Sequence, residues 1–544
     1  MIQRKSAQRE LTTEVLIIGG GVTGTGVMRD LALRGINCLL IDRKDLNAGA
    51  SGGNHGLLHS GGRYAVTDSD TAAECLTEGE ILKKIAAHTI DPCGGLFAAV
   101  EGDDPDFADK FPQHCAHAGI PCTPLTPKQA RQLEPALSDR VFAAYQVPDA
   151  SIDPFRLTLA NVQHARQLNN SVYLPHMQVT GFEKSNDVIT AAICHDHKAG
   201  VEVKIRATQF VNATGAWAKM VAELADCHDV NLLYSKGTLV ISNTRITHGV
   251  INRLRPPGDG DILVPGGTVS LLGTTSDNID NLDQIKPAVS EVDRILKQGS
   301  ALIPAIETTR FIRAFAGVRP LLMSSDAEAD GRRASRGFTL YDHQQQGLAN
   351  FATIAGGKLT TFRLMAEKTA DLIAKRLGNN NPCRSADIDL PCDESTRWTE
   401  PGYSARHWFK HSEASDLILC ECEMVPQSVV DKVIKLSPGA EDQMSVQAIG
   451  LRSRIGKGTC QGAFCSMRVT SYLYDQNIYN NKDGLRHMHD FVSARFKGIK
   501  PVLWGEQMPQ FELAETMHCG LMGLDMLDNN KQPCKNSPEP KSDE

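Results

Sequence analysis

The chain has 544 residues, 41% of them hydrophobic and 22% charged, with 57 Lys and Arg against 64 Asp and Glu for a net charge of −7. That length exceeds one ordinary domain, and the composition is that of a soluble globular protein. The charge balance leaves no basic footprint for nucleic acid, and no run of roughly 18 apolar residues offers a membrane span.

Met1 to Glu10 is polar and carries both signs of charge, and the apolar run Val15 to Ile18 is too short for a signal-peptide core. The expectation is a cytoplasmic protein that meets a membrane only through a partner. Its 15 cysteines are odd in number and scattered, as suits a reducing compartment, apart from four that cluster late in the chain.

Glu14 to Ile18 reads as a buried parallel strand, a short apolar run ending in glycine. Val22 to Arg34 reads as a helix, and Cys38 to Ile41 as the next strand. Strand, turn, helix and strand within about 30 residues make a βαβ unit. Between them, Gly19-Gly20-Gly21-Val22-Thr23-Gly24 matches G-x-G-x-x-G. Gly19 permits the tight turn, Gly21 lets the backbone approach a pyrophosphate, and Gly24 lets helix and strand pack closely. The helix N-terminus offers free N–H groups to the phosphates. Asp42 ends the second strand, where an acid can accept from ribose hydroxyls. Arg43 hints at a 2′-phosphate, which Asp42 opposes electrostatically.

Ala50 to Tyr64 is a second glycine-rich stretch, for which an NAD-binding domain has no use. Phe210 to Ala213 and Phe351 to Ile354 look like later strands feeding glycine turns, at Thr214-Gly215 and Gly356-Gly357. The region from about Asp149 to Arg333 mixes strands, such as Gly237 to Ser242 and Ser270 to Thr275, with helices. Gly378 to Pro382 breaks the last helix of this part. There is no internal repeat.

The loop at Ala50 to Tyr64, the turn Val211 to Trp217 and the turn Gly356 to Thr361 resemble flavin-contacting segments of the glycerol-3-phosphate dehydrogenase and D-amino-acid oxidase superfamily. The resemblance narrows to FAD-dependent glycerol-3-phosphate dehydrogenases on six separated segments. These are Leu58 to Tyr64, Lys236 to Thr238, Gly273 to Thr275, Ala316 to Pro320, Ser335-Arg336 and Gly356 to Arg363. It implies an α/β, Rossmann-like FAD-binding domain of the D-amino-acid oxidase type with an α+β, antiparallel-sheet substrate domain. It also implies a cofactor site of Gly19, Gly21, Gly24, Asp42, Arg43, Ser51, Gly52, His55, Thr214, Gly215, Gly356, Gly357, Leu359 and Thr360. Backbone N–H groups at the late turn would face the flavin ring.

The implied substrate, sn-glycerol 3-phosphate, carries a dianion that needs fixed cations. Arg319, Lys358, Arg336 and Arg63 are the candidates. An arginine is often only a solvated side chain or half of an ion pair, and position in the motifs favours Arg319 and Lys358 most. Alcohol oxidation also needs a base for the O–H proton. His59 is the choice, with His55 as its rival. An amino-acid or hydroxy-acid oxidase on the same fold would need one carboxylate-binding Arg.

Cys420-Glu421-Cys422 is followed after 37 residues by Cys460 to Cys465. Zinc knuckles more often show C-x2-C, and plant-type ferredoxins C-x4-C-x2-C. The order here, with the turn Gly458 to Gly462, resembles the bacterioferritin-associated ferredoxin-like domain, which implies a [2Fe–2S] cluster on Cys420, Cys422, Cys460 and Cys465. Zinc and unmetallated thiols are the alternatives. The combination resembles the anaerobic branch of the family. That implies two partners, a companion B subunit plus the membrane-anchoring iron–sulfur C subunit. It also implies a quinone as electron sink and a peripheral place on the cytoplasmic face of a bacterial inner membrane. Whether FMN is bound in such a complex the sequence leaves open.

The expected domains are a FAD-dependent oxidoreductase over 1–377, with FAD-binding parts at about 10–80, 150–225 and 335–377 and substrate parts between. A linker over 378–415, the small helical cluster domain over 416–476, a helical extension over 477–528 and a disordered tail over 529–544 follow.

Overall fold

The computed structural model describes residues 9–283, 285–323, 337–392, 403–411, 413–435 and 444–527. The chain divides into two compact units, Met1–Lys410 and His411–Glu544.

The first unit is built on two large sheets. In one, Val172–Leu174, Cys38–Ile41, Arg9–Ile18 and Val201–Asn212 run parallel side by side. Phe351–Gly356 pairs in parallel with the end of Val201–Asn212, and Phe338–Asp342 joins it antiparallel. The first strand shows why this sheet is buried on both faces. Val15 and Ile17 point to a core shared with Val27, Leu31 and Ile373, while Leu16 and Ile18 point to one shared with Ile41, Phe210 and Phe351. Alternate residues of a strand face opposite sides, so a continuous apolar run is what two covered faces require. The helices Val22–Leu33, Pro154–Leu168 and Phe362–Arg376 supply one cover.

The second sheet has nine strands and is largely antiparallel. Its longest pair is Leu232–Ser242 against Phe311–Leu322, in which Ser235 sits opposite Arg319. Among the described residues, its one parallel pair is Val250–Arg253 with Gly95–Val100. A small sheet of Leu57–Leu58, Ala150–Ile152 and Ile90–Asp91 ties the loop at 50–64 to the rest of the unit.

Residues 379–392 differ from the expected linker. Gly378 closes the helix Phe362–Arg376 in the left-handed conformation, with its N–H on the Lys375 carbonyl and that of Asn379 on Ala374. The chain then lies along the helix Val22–Leu33. Arg29 donates to the carbonyls of Ser385 (3.0 Å) and Ile388, Cys383 donates to Asp30 at 2.8 Å, and buried Leu390 hydrogen-bonds the Ile85 carbonyl. This strap is part of the first unit because buried Arg29 needs those carbonyls as acceptors.

In the second unit, a hairpin of Ile418–Cys420 and Val425–Pro426 precedes the helices Gln427–Lys435, Val446–Arg452, Cys465–Asp475 and Asp483–Ile499. The last helix, expected to lie in an appended extension, contributes to the same core. Its Phe491 is fully buried, and a Cβ on Gly456 or Gly462 would fall 2.4 or 2.6 Å from its ring. The expected tail at 529–544 lies outside the described residues.

Candidate active site and thiol cluster

One cavity of about 610 Å³ runs through the first unit. At one end lies the first glycine turn. Gly19 adopts φ +115°, and a Cβ there would fall 2.5 Å from the Ala213 carbonyl oxygen. A Cβ on Gly24 would fall 2.0 Å from the Gly19 carbonyl oxygen, so only glycine lets this helix start against the strand. Gly24 is therefore a packing residue and does not line the cavity, whereas Gly19 and Gly21 do.

Asp42 also lines it. Its carboxylate accepts from the Gly20 N–H at 2.7 Å and the Lys44 N–H at 2.8 Å, so it braces the turn, and burial pushes its pKa up. Ser51 Oγ accepts from the Val22 N–H at 3.0 Å, and joins the second glycine-rich loop to the helix start. Gly52 lies behind the lining, where a Cβ would meet the Asn47 carbonyl oxygen at 2.3 Å. The Arg43 guanidinium lies 4.3 Å from the centre of the Trp217 ring, and both face the cavity. This flat pair gives Arg43 a use other than a 2′-phosphate. Thr214 and Gly215 line the same end.

The far end carries the reactive groups. His55, His59, Tyr64, Arg319, Lys358 and Thr274 all line it. Gly356, Gly357, Leu359 and Thr360 form the wall where the helix Phe362–Arg376 begins. Arg319 is aimed by its neighbours: Nη1 donates to the Thr275 carbonyl at 3.2 Å and to Ser235 Oγ at 3.4 Å, and Nη2 donates to Thr274 Oγ1. Lys358 Nζ lies 5.2 Å above the Tyr64 ring, whose centre is 5.1 Å from that of His59. The loop bearing His59 is pinned by fully buried Asp149, which accepts from the Ser60 N–H at 2.7 Å and from Asn252 at 3.0 Å.

Both histidines are neutral at physiological pH. Burial, then the Arg319 and Arg63 cations, holds His55 down to about 3. Burial, then Lys358, His55 and Arg63, does the same to His59. A neutral imidazole can accept a proton, and among the described residues the buried Nδ1 atoms of both rings have no hydrogen-bond partner. Thr360 Oγ1 and Trp217 Nε1 are left in the same state.

Arg63 does not line the cavity. It pairs with fully buried Asp261 at 2.9 Å, a carboxylate that also takes Arg255 at 2.7 Å. Two further cations of the motifs are structural: Lys236 pairs with Glu291 at 2.9 Å, and buried Arg363 pairs with Glu78 at 2.6 Å. Arg336 lies outside the described residues. Sequence reasoning missed Asp149, Asn252 and Cys75, whose thiol lies 4.0 Å from His59 Nε2. None of the three sits in a recognisable pattern.

In the second unit the four expected cysteines adjoin one another. Cys422 Sγ lies 3.9 Å from Cys420 Sγ and 3.5 Å from Cys460 Sγ, and Cys465 is within reach of Cys420 and Cys460. Cys422 and, next, Cys465 pull the Cys460 thiol strongly down, helped by the backbone N–H groups of Gly462 and Phe464. A Cβ on Gly458 would fall 2.7 Å from Cys422 Sγ. Among the described residues, no group of three or more His, Cys, Asp or Glu is arranged to hold a metal ion. The donor chemistry, four thiols and two backbone donors, fits an iron–sulfur group.

The FAD dependent oxidoreductase family, by its sequence profile, matches residues 14–372. In Escherichia coli (strain K12), the A subunit of the anaerobic glycerol-3-phosphate dehydrogenase is 39% identical over 535 residues, covering 94% of this chain and 97% of its own. The chain belongs to the FAD dependent oxidoreductase family, in the branch of the anaerobic glycerol-3-phosphate dehydrogenase A subunits. The A1 subunit of the same enzyme from Haloferax volcanii is 36% identical over 94% of this chain and 91% of its own. A glycerol-3-phosphate dehydrogenase from Bacillus halodurans, solved with FAD, shares the fold at a TM-score of 0.62 and 20% identity, covering 91% of this chain and 97% of its own. The resemblance read from the six motifs and the expected fold class are both borne out. So is FAD as the cofactor: the glycine turns, Asp42 and the unpartnered polar atoms of the cavity fit it. The chain is a flavoprotein oxidoreductase, and among its described residues no helix is long and apolar enough to cross a membrane.

Proposed function

We propose that this chain oxidises sn-glycerol 3-phosphate to dihydroxyacetone phosphate. The observation that carries the reading is the meeting, in one cavity, of two neutral histidines with the cations of Arg319 and Lys358. FAD, when bound, supplies the two-electron acceptor for the hydrogen on C2. Arg319, aimed into the cavity by Ser235, Thr274 and Thr275, brings a fixed positive charge to the phosphate. Lys358 adds a point charge, so the pair answers a dianion better than a single carboxylate. His59 accepts the C2 hydroxyl proton, with His55 beside it in the same wall. The Nδ1 atom of each ring is shut off from solvent, which limits competition from water for that proton.

The names of the relatives support a larger assembly. In this reading Cys420, Cys422, Cys460 and Cys465 hold a [2Fe–2S] cluster that takes electrons one at a time. The companion B subunit, then the membrane-anchoring iron–sulfur C subunit, would carry them to a quinone, which makes this protein the peripheral, quinone-linked part of the complex. Titration with sn-glycerol 3-phosphate in the absence of oxygen tests the reading: flavin absorbance bleaches, and dihydroxyacetone phosphate forms in equal amount.

A further inference from the structure

The cations near the thiol cluster are not alike. Arg454 is paired with Glu423 at 2.8 Å, and Arg468 with Glu421. Arg495, on the helix Asp483–Ile499, has neither a hydrogen bond nor an ion pair among the described residues. Its Nε is buried and unpartnered. Its guanidinium lies 4.7 Å from the centre of the Phe491 ring, the ring that packs on Gly456 and on Gly462, two residues past Cys460. Gly456 leaves room for it: a Cβ there would fall 3.2 Å from Nη2. Burial pulls this guanidinium down to about 10, and the charges acting against that loss are Cys465 and Cys460. A cation whose donor is buried without an acid is destabilised unless a counter-charge is brought to it.

We propose that Arg495 is the counter-charge of an anionic iron–sulfur centre on Cys420, Cys422, Cys460 and Cys465, and that it favours the reduced state of that centre. The inference rests on the reading that these thiols hold such a centre. Four thiolates make the centre net negative even when oxidised, and reduction adds one more negative charge. A cation stacked on the same Phe491 ring that packs against Gly462, two residues past Cys460, therefore stabilises the reduced form more than the oxidised one. Phe491 packs against the guanidinium, whose Nε is shut off from solvent. The sequence gives no sign of this role, because Arg495 lies 30 residues beyond the last cysteine of the cluster.

The test is an anaerobic redox titration of the full chain, followed by the paramagnetic signal of the reduced centre, with iron content measured in parallel. Arg495→Gln should shift the one-electron reduction equilibrium at least tenfold toward the oxidised form, about 59 mV. Arg495→Lys should recover most of that shift. Arg495→Gln with full iron and an unchanged potential overturns the proposal. If Arg495→Gln loses iron, retention by Arg495→Lys supports the charge role, and loss in both variants overturns it in favour of packing. Wild-type chain without iron overturns the cluster reading itself, a result distinct from all of these.

Discussion

Gly53 and Gly317 meet backbone to backbone: a Cβ on Gly317 would fall 2.1 Å from the Gly53 carbonyl oxygen, and one on Gly53 2.8 Å from Gly317 Cα. Gly317 lies two residues before Arg319, and Gly53 two before His55. This contact therefore fixes the cation-bearing strand against the histidine-bearing loop. Gly317→Ala should part them and weaken flavin retention at least about tenfold, since backbone cannot yield as a side chain can. Gly181→Ala, where a Cβ meets nothing within 4 Å, is the control. Flavin-to-protein absorbance after dialysis reads the effect, and equal retention in both variants would remove this contact from the site's architecture.

Arg319→Ala should raise the Michaelis constant for sn-glycerol 3-phosphate about 10- to 100-fold, the worth of one or two charge-assisted hydrogen bonds. Arg63→Ala should raise it less than about threefold, because Asp261 already engages that guanidinium. Steady-state kinetics with an artificial electron acceptor separates the two. The reverse order would move the phosphate toward Asp261.

Stability should fall with acid in a defined window. His55 and His59 titrate near 6.5 when unfolded and near 3 when folded. Between those values the unfolded chain binds more protons, so stability rises with pH across the window and is lost as pH falls through it. Each ring contributes a slope of up to ~1.4 kcal/mol per pH unit. Asp42 and Asp149, raised by burial, act in the opposite sense, so the informative comparison is with a variant lacking both rings. Flavin-free wild-type chain should lose stability more steeply from pH 6.5 to 5 than His55→Asn/His59→Asn in chemical denaturation. Equal slopes would mean that the rings are not held neutral.

The two halves of the proposed electron path should separate. Cys460→Ser should abolish the iron–sulfur absorbance envelope and leave substrate-driven flavin bleaching within about twofold of wild type. Loss of bleaching with FAD still bound would contradict the division of labour between the cavity and the thiols.

Much of the flavin end was legible because its physics is local. Gly19, Gly24 and Asp42 follow from a turn that must hug a strand, and such a turn leaves a fixed spacing in the chain. The cysteines were legible for the same reason. Arg63 shows where that logic stops: it lies in a motif beside His59, yet its partner Asp261 is 198 residues away. Asp149 and Cys75, which brace His59, leave no pattern at all, since a buried acceptor or thiol is chosen by packing. The strap at 379–392 read as a linker for its Pro, Asn and Ser content, but Arg29 and Asp30 in a distant helix give its carbonyls a donor and its thiol an acceptor.

In the proposed reaction, C2 of sn-glycerol 3-phosphate gives its hydrogen to the flavin in this cavity. Single-turnover mixing of the oxidised protein with the C2-deuterated substrate, without oxygen, tests it most directly. The flavin should bleach fully, severalfold more slowly than with unlabelled substrate. Flavin that stays oxidised with either isotopologue, yet bleaches with an amino acid or a 2-hydroxy acid, would contradict it.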